Sequence, residues 1–264
     1  MTDIGSPRAA STVMYPDLAG KVAVVTGGSR GIGAETARAL AENGVSVAVV
    51  GRDEGAITAT VDAITADGGR ALGLAADCTV ERDLALLGQA IESELGPVEI
   101  LATFAGGNGM PVPTEAETGW HWREVLESDL TSTFLTVSTF LSGMIARKAG
   151  AIVTMSSAAG RQAAQSSAAY AAAKAGVVAL SRHLAGEHAH DGIRVNCIAP
   201  SAVENDRMRT WMSEEERRAL GAAFPLGRLG QPQDVAAATL FFASSASSWI
   251  TGVTLDIAGG KVMP

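Results

Sequence analysis

Val22-Ala23-Val24-Val25-Thr26-Gly27-Gly28-Ser29-Arg30-Gly31-Ile32-Gly33 decides the fold. Its first five residues are apolar or β-branched without alternation, the pattern of a strand buried on both faces of a parallel sheet. Glycines follow at once, and the chain then takes up a helical pattern through Asn43. Such a turn lets the backbone pass close to a pyrophosphate, while the helix N-terminus behind it offers unpaired N–H groups and the positive end of a dipole. The spacing here is Gly-x-x-x-Gly-x-Gly at Gly27, Gly31 and Gly33. It differs from the commoner Gly-x-Gly-x-x-Gly fingerprint of dinucleotide sites.

Outward from this turn the same alternation continues. Strands are predicted at Val22–Thr26, Val45–Val50, Ala71–Ala75, Ile100–Phe104, Ala151–Met155, Ile193–Ile198 and Val253–Ile257. Helical patterns lie between them at Gly31–Asn43, Ala56–Ala66, Glu81–Leu95, Trp120–Arg147, Ser167–Ala189 and Pro232–Ser244. This order predicts an α/β fold, a Rossmann-type doubly wound sheet of about seven parallel strands with helices on both faces. A polar tail is expected over residues 1–17 and one dinucleotide-binding domain over 18–264. Residues 201–224 interrupt the rhythm with an insert too long for a plain loop. Ser213 and Glu216 stand there at the spacing of a helix capping box. The insert reads as a small helical lid whose Met208, Trp211, Met212 and Phe224 either close over a substrate or pack on the core.

Composition removes several function classes. The formal charge is −8 and no Lys/Arg run occurs, which argues against a nucleic-acid partner. No apolar run has the length of a membrane span. Two cysteines, Cys78 and Cys197, stand far apart, and His183 and His188 are five residues apart. Neither arrangement has the spacing of a zinc site, and so few cysteines fit a reducing cytoplasm.

At the end of the second strand stands Arg52, and Arg30 lies in the glycine loop. A carboxylate at the former position would receive a ribose 2′-hydroxyl, whereas a 2′-phosphate needs positive charge. The two arginines favour NADP(H), with NAD(H) the alternative; Asp53 is expected to point elsewhere. Further along, Tyr170 and Lys174 are four apart in a helical stretch, which puts phenol and ammonium on one face. The cation lowers the tyrosine pKa from its reference of about 10 and suits Tyr170 to general acid–base work.

Together with Ser157, thirteen residues before Tyr170, these motifs resemble the short-chain dehydrogenase/reductase family, in particular its members similar to 3-oxoacyl-acyl-carrier-protein reductases. The resemblance covers roughly Leu18 to Gly260. It implies that Ser157 binds the substrate oxygen, Tyr170 exchanges its proton, and Lys174 binds the nicotinamide ribose. It further implies cofactor contacts from Gly27, Ser29, Arg30, Gly31, Ile32, Gly33, Arg52, Asp77, Cys78, Ala105, Gly106, Tyr170, Lys174, Pro200, Val203 and Asn205, with Asp77 at adenine. No metal is required, and a homotetramer is expected. The substrate is a small carbonyl or alcohol, with a carrier-protein thioester among the possibilities and Arg207, Arg209, Arg217 and Arg218 as potential carrier contacts. A non-catalytic NADP(H) sensor or scaffold is the rival from another class.

The chain departs from the family pattern at three places. Asn-Asn-Ala-Gly becomes Thr103-Phe104-Ala105-Gly106, and Pro-Gly becomes Pro200-Ser201, with Asn205 in place of a threonine. The asparagine of the family's catalytic tetrad aligns with Asp129, in helical phase with Val125, Leu126 and Thr133. A carboxylate on that inward stripe must be paired, hydrated or protonated. Two readings stand: Asp129 holds a relay water and reaches Lys174 through it, or it is a tolerated replacement.

Overall fold

A computed structural model describes residues 13–107 and 110–263. The expected tail falls outside them up to residue 12. Its remainder is tied to the body: Asn43 accepts from Tyr15 N at 2.6 Å and donates to Val13 O at 3.2 Å. Asp17 accepts from Ser245 N at 2.7 Å.

Seven parallel strands form one sheet: β1 (Val22–Thr26), β2 (Ser46–Gly51), β3 (Arg70–Ala75), β4 (Ile100–Thr103), β5 (Gly150–Met155), β6 (Ile193–Pro200) and β7 (Thr254–Ile257). Their order is β3-β2-β1-β4-β5-β6-β7. The helices are α1 (Gly31–Glu42), α2 (Glu54–Ala66), α3 (Glu81–Glu94), α4 (Gly119–Leu126), α5 (Ser132–Arg147), α6 (Ala168–His188), α7 (Asp206–Trp211), α8 (Glu214–Ala222) and α9 (Pro232–Ala243). Every residue of β1 is buried because both faces are covered. Ala23 and Val25 pack with Ala37 and Leu40 of α1 and Val235 and Leu240 of α9. Val22 and Val24 pack with Leu84 and Ile91 of α3 and Phe140 and Met144 of α5. A strand with helices on both sides has no solvent face, hence no polar alternation.

Strand order reverses between β1 and β4, paired Thr26 to Thr103. Ligands of such sheets bind in the crevice beyond the strand ends at this switch point. Here two turns interlock: Phe104 N donates to Thr26 O at 3.2 Å and to Thr26 Oγ1 at 3.1 Å.

One stretch differs from expectation. The long helix over Trp120–Arg147 is interrupted by a π-helical turn at Glu127–Thr131, where Ser132 N donates to Glu127 O. Hydroxyls compete for the carbonyls around it: Ser132 Oγ donates to Ser128 O, Thr133 Oγ1 to Asp129 O and Thr136 Oγ1 to Ser132 O. Such side-chain bonds offer the backbone an alternative to its regular ladder. The 201–224 insert holds two helices, α7 and α8, and the Ser213–Glu216 capping box is formed. Among the described residues no helix is long and apolar enough to cross a membrane.

Candidate active site

The glycine turn is shaped by what it excludes. A Cβ on Gly33 would stand 2.0 Å from Gly27 O, and one on Gly27 would stand 2.6 Å from Phe104 O. Side chains at these points would push the turn, the helix and β4 apart. On the outer side a Cβ on Gly31 would meet nothing within 4 Å, so the cradle is open where a phosphate would lie. Arg30, at the N-cap of α1, makes no side-chain cap, and the helix N-terminus stays available to an anion. A cleft of about 450 Å³ leads on from here, lined by Gly27, Arg30, Ile32, Gly33, Gly106, Pro200, Val203, Ser157 and Tyr170 among others. These residues fit a dinucleotide.

At the far end of β2, the Arg30 guanidinium contacts Asp53 Oδ2 at 2.5 Å. The other oxygen of Asp53 caps α2 by accepting from Ala56 N at 2.9 Å. These two bonds, the helix cap first, hold its carboxyl below the usual range. Arg52 is exposed and its charge acts on Asp77 and Cys78. Asp77 accepts from Thr79 N and Thr79 Oγ1 at 2.9 and 2.7 Å. Its pKa is lowered, chiefly by that backbone bond. Ser29 Oγ would lie 2.8 Å from a Cβ on Gly51, so the loop seats directly on the strand end.

Deeper in the cleft, α6 presents Tyr170 and Lys174. Its N-terminus is fixed twice: Ser167 Oγ accepts from Tyr170 N at 3.1 Å, and Glu117 accepts from Ala169 N at 3.2 Å. Ser156 Oγ donates to Lys174 O at 2.7 Å and ties α6 to the end of β5. A Cβ on Gly160 would stand 2.6 Å from the Lys174 backbone, so the Ser157 loop presses directly on this helix. Ser157 Oγ accepts from Ala159 N at 3.2 Å, which leaves its own hydrogen to give.

Lys174 Nζ lies 2.9 Å from Asp129 Oδ1, donates to Met155 O at 3.1 Å and sits 5.6 Å from the centre of the Tyr170 ring. An ammonium has three donors, so one remains. Burial pulls the lysine pKa down, but Asp129 and Tyr170 outweigh it and hold the ammonium above its usual range. Asp129 is wholly buried. It also accepts from Gly107 N at 2.8 Å and Ser128 Oγ at 2.8 Å. The contact with Lys174 is therefore direct, without the relay water that one of the two sequence readings placed between them. The π turn carries this inward carboxylate against the loop after β4. A Cβ on Gly106 would stand 2.6 Å from Asp129 Oδ1.

A second cleft of about 680 Å³ shares Ser157, Tyr170, Ser201, Ala202, Asn205, Met208 and Gly107 with the first. Its other walls include Met110, Ala164, Gln165, Arg207, Trp211 and Met212. Thus the four apolar residues of the insert divide. Met208, Trp211 and Met212 line the cleft, whereas Phe224 is buried against the Gly259 turn. Asn205 serves as N-cap of α7: its Oδ1 accepts from Met208 N at 2.9 Å, and its Nδ2 donates to Val203 O at 3.3 Å. The sequence reading overlooked Ser128, Gly107, Glu117 and Ser156. Glu117 could have been found from its i,i+4 spacing to His121, which it contacts at 3.0 Å. Both cysteines are free and buried, and among the described residues no cluster of His, Cys, Asp and Glu could hold a metal ion.

The family model described as Enoyl-(Acyl carrier protein) reductase matches residues 27–261. The chain is 38% identical over 250 residues to 3-oxoacyl-(acyl-carrier-protein) reductase FabG of Vibrio cholerae, covering 94% of this chain and 99% of the relative. It is 39% identical over 243 residues to cis-4-hydroxycyclohexanecarboxylate dehydrogenase of Sinomonas cyclohexanicum, covering 92% and 97%. A solved 7 alpha-hydroxysteroid dehydrogenase complexed with NADH and 7-oxo glycochenodeoxycholic acid superposes with a TM-score of 0.88 at 34% identity, covering 95% and 97%. The chain belongs to the short-chain dehydrogenase/reductase family, as an NAD(P)-dependent oxidoreductase of carbonyl or alcohol substrates.

Proposed function

We propose that this protein interconverts a ketone and a secondary alcohol with NADP(H). One observation carries the reading: Ser157 and Tyr170 line both the cofactor cleft and the apolar cleft beside it, with the Lys174 ammonium near the phenol ring. When bound, the nicotinamide supplies or accepts the hydride. Ser157 donates a hydrogen bond to the substrate oxygen. Tyr170 gives that oxygen its proton in reduction and takes it back in oxidation. The ammonium of Lys174 stabilises the phenolate left behind and keeps one N–H for the ribose. Asp129 acts through Lys174 as a positioning residue. Donors fixed by packing before the substrate arrives need no reorganisation as charge develops on oxygen.

The preference for NADP(H) rests on Arg52, for which no oxygen partner occurs among the described residues. A specific observation favours NAD(H) as a second reading: Asp53 holds Arg30 and sets a carboxylate beside the same strand end. The homotetramer is supported by large side chains left exposed, among them Trp120, Phe134 and Trp249, since exposed apolar area commonly marks interfaces. Sedimentation showing only single chains would remove that part. A cytoplasmic enzyme fits two free thiols, and α7 with α8 forms the lid over the substrate.

The test is a panel of ketones, alcohols and conjugated enones with both cofactors, followed by nicotinamide absorbance. Ketone-dependent consumption of NADPH is expected. Tight cofactor binding with no substrate-dependent consumption would instead identify a non-catalytic binder.

A further inference from the structure

The lid carries four arginines, and three of them are occupied. Arg209 Nη2 meets Glu204 Oε2 at 3.4 Å, Arg217 Nη1 donates to Met212 O at 2.7 Å, and Arg218 Nη2 meets Glu214 Oε1 at 3.1 Å. Arg207 differs. Its contact is Nη2 to Met110 Sδ at 2.9 Å, across the cleft from α7 to the chain after β4. A thioether is a weak acceptor, and the guanidinium has five donors in a planar fork. Among the described residues it finds no oxygen.

Arg207 is also alone in its surroundings. Of the described residues lining the substrate cleft it is the one with a formal charge, although acidic residues outnumber basic ones by 28 to 20 in the chain. Among the described residues the cleft lining offers it no carboxylate, while Met110, Met208, Trp211 and Met212 give it apolar, adaptable walls. Within this cleft Ser157 and Tyr170 are part-buried, whereas Arg207 is exposed. A volume of about 680 Å³ lies within the ordinary range for small-molecule sites.

We propose that the substrate is an apolar ketone or secondary alcohol bearing a carboxylate remote from the reacting carbon, and that Arg207 receives that carboxylate at the cleft mouth. This rests on the ketone reading of the same site. An unpaired fork beside an acid-free, apolar wall is suited to bidentate carboxylate binding, where charge-assisted bonds add both strength and orientation. Met110 then acts as a placeholder, releasing the guanidinium without the loss of a strong bond.

Binding is measured first, by calorimetry on the NADP⁺-saturated protein. The probes are 4-oxocyclohexanecarboxylate and its methyl ester, then a larger keto acid of the steroid type with its ester. Wild type should bind the acids more tightly by about 10- to 100-fold, the worth of a hydrogen-bonded charge contact. In Arg207→Ala the acid-to-ester ratio should fall close to one, Arg207→Lys should keep part of it, and Arg218→Ala, outside the cleft, should keep all of it. In turnover the same ratio should appear in KM and not in kcat. Equal affinity for acid and ester, or a preference that survives Arg207→Ala, would overturn the proposal. Binding of the acid through Arg207 without turnover of any ketone would overturn the reaction reading and leave the carboxylate site standing.

Discussion

Lys174 and Asp129 form a direct, buried ion pair at 2.9 Å, and the carboxylate is completed by Gly107 N and Ser128 Oγ. A charge pair taken from water is tolerated only when its remaining donors and acceptors are satisfied, and here they nearly are. The pair joins α6, which carries the phenol, to the loop over the cofactor cleft. It also sets a negative charge against the cation that would otherwise act on Tyr170 alone.

Asp129→Asn and Asp129→Ala should therefore part company. Asparagine still accepts from Gly107 N and Lys174, so the fold should hold. Without the negative charge the ammonium favours phenolate more strongly, and the pH limb for alcohol oxidation should move toward acid. Alanine leaves a buried ammonium unpaired and should cost about 3–5 kcal/mol in urea unfolding. An unchanged pH profile in Asp129→Asn together with a stable Asp129→Ala would reduce the pair to a passive contact.

Arg52→Ala should separate the two cofactors. Loss of the exposed guanidinium should weaken NADPH by about 10- to 100-fold, as one charge-assisted phosphate contact is worth, and leave NADH nearly unaffected. Arg30→Ala should have the smaller effect because Asp53 already holds that side chain. Fluorescence titration of both nucleotides decides it; equal losses for the two would take Arg52 out of the site.

Cys78 supplies an alkaline signature. Burial pushes its thiol up to about 11, helped by the Asp77 charge and opposed by Thr136 and Arg52. The unfolded thiol ionises near 8.5, so between these values the unfolded chain binds fewer protons and stability falls as pH rises, by roughly 3 kcal/mol in total. The sign is the same for Lys174, whose contribution is lost as pH rises from the ordinary lysine value through its own raised one. Urea unfolding at pH 8 and pH 10 should show a larger loss in wild type than in Cys78→Ala. Equal losses in the two proteins would mean that Cys78 is not the group responsible.

Much of this architecture is legible in the sequence. β1 is apolar or β-branched throughout because helices cover both faces, and its run Val22-Ala23-Val24-Val25-Thr26 carries that pattern in the sequence. Tyr170 and Lys174 were placed together by one helical turn, and Ser157 by its distance from Tyr170. The π turn was not legible, since Glu127-Ser128-Asp129-Leu130-Thr131 continues an ordinary helical pattern. Its trace is the run of hydroxyls from Ser132 to Thr136 that compete for backbone carbonyls. The Asp129–Lys174 contact and the Arg30–Asp53 pair join residues 45 and 23 positions apart. Periodicity cannot report such contacts, because they depend on how whole elements pack.

Replacing Tyr170 by phenylalanine removes one oxygen and leaves the ring, the Ser167 cap and the helix in place. The decisive measurement is kcat/KM of Tyr170→Phe with a ketone and NADPH, alongside the dissociation constant of NADPH. A fall of about 10²- to 10⁴-fold with nucleotide affinity nearly retained is expected of a lost proton donor. Turnover within a few-fold of wild type would contradict the proton route, and with it the roles given to Lys174 and Asp129.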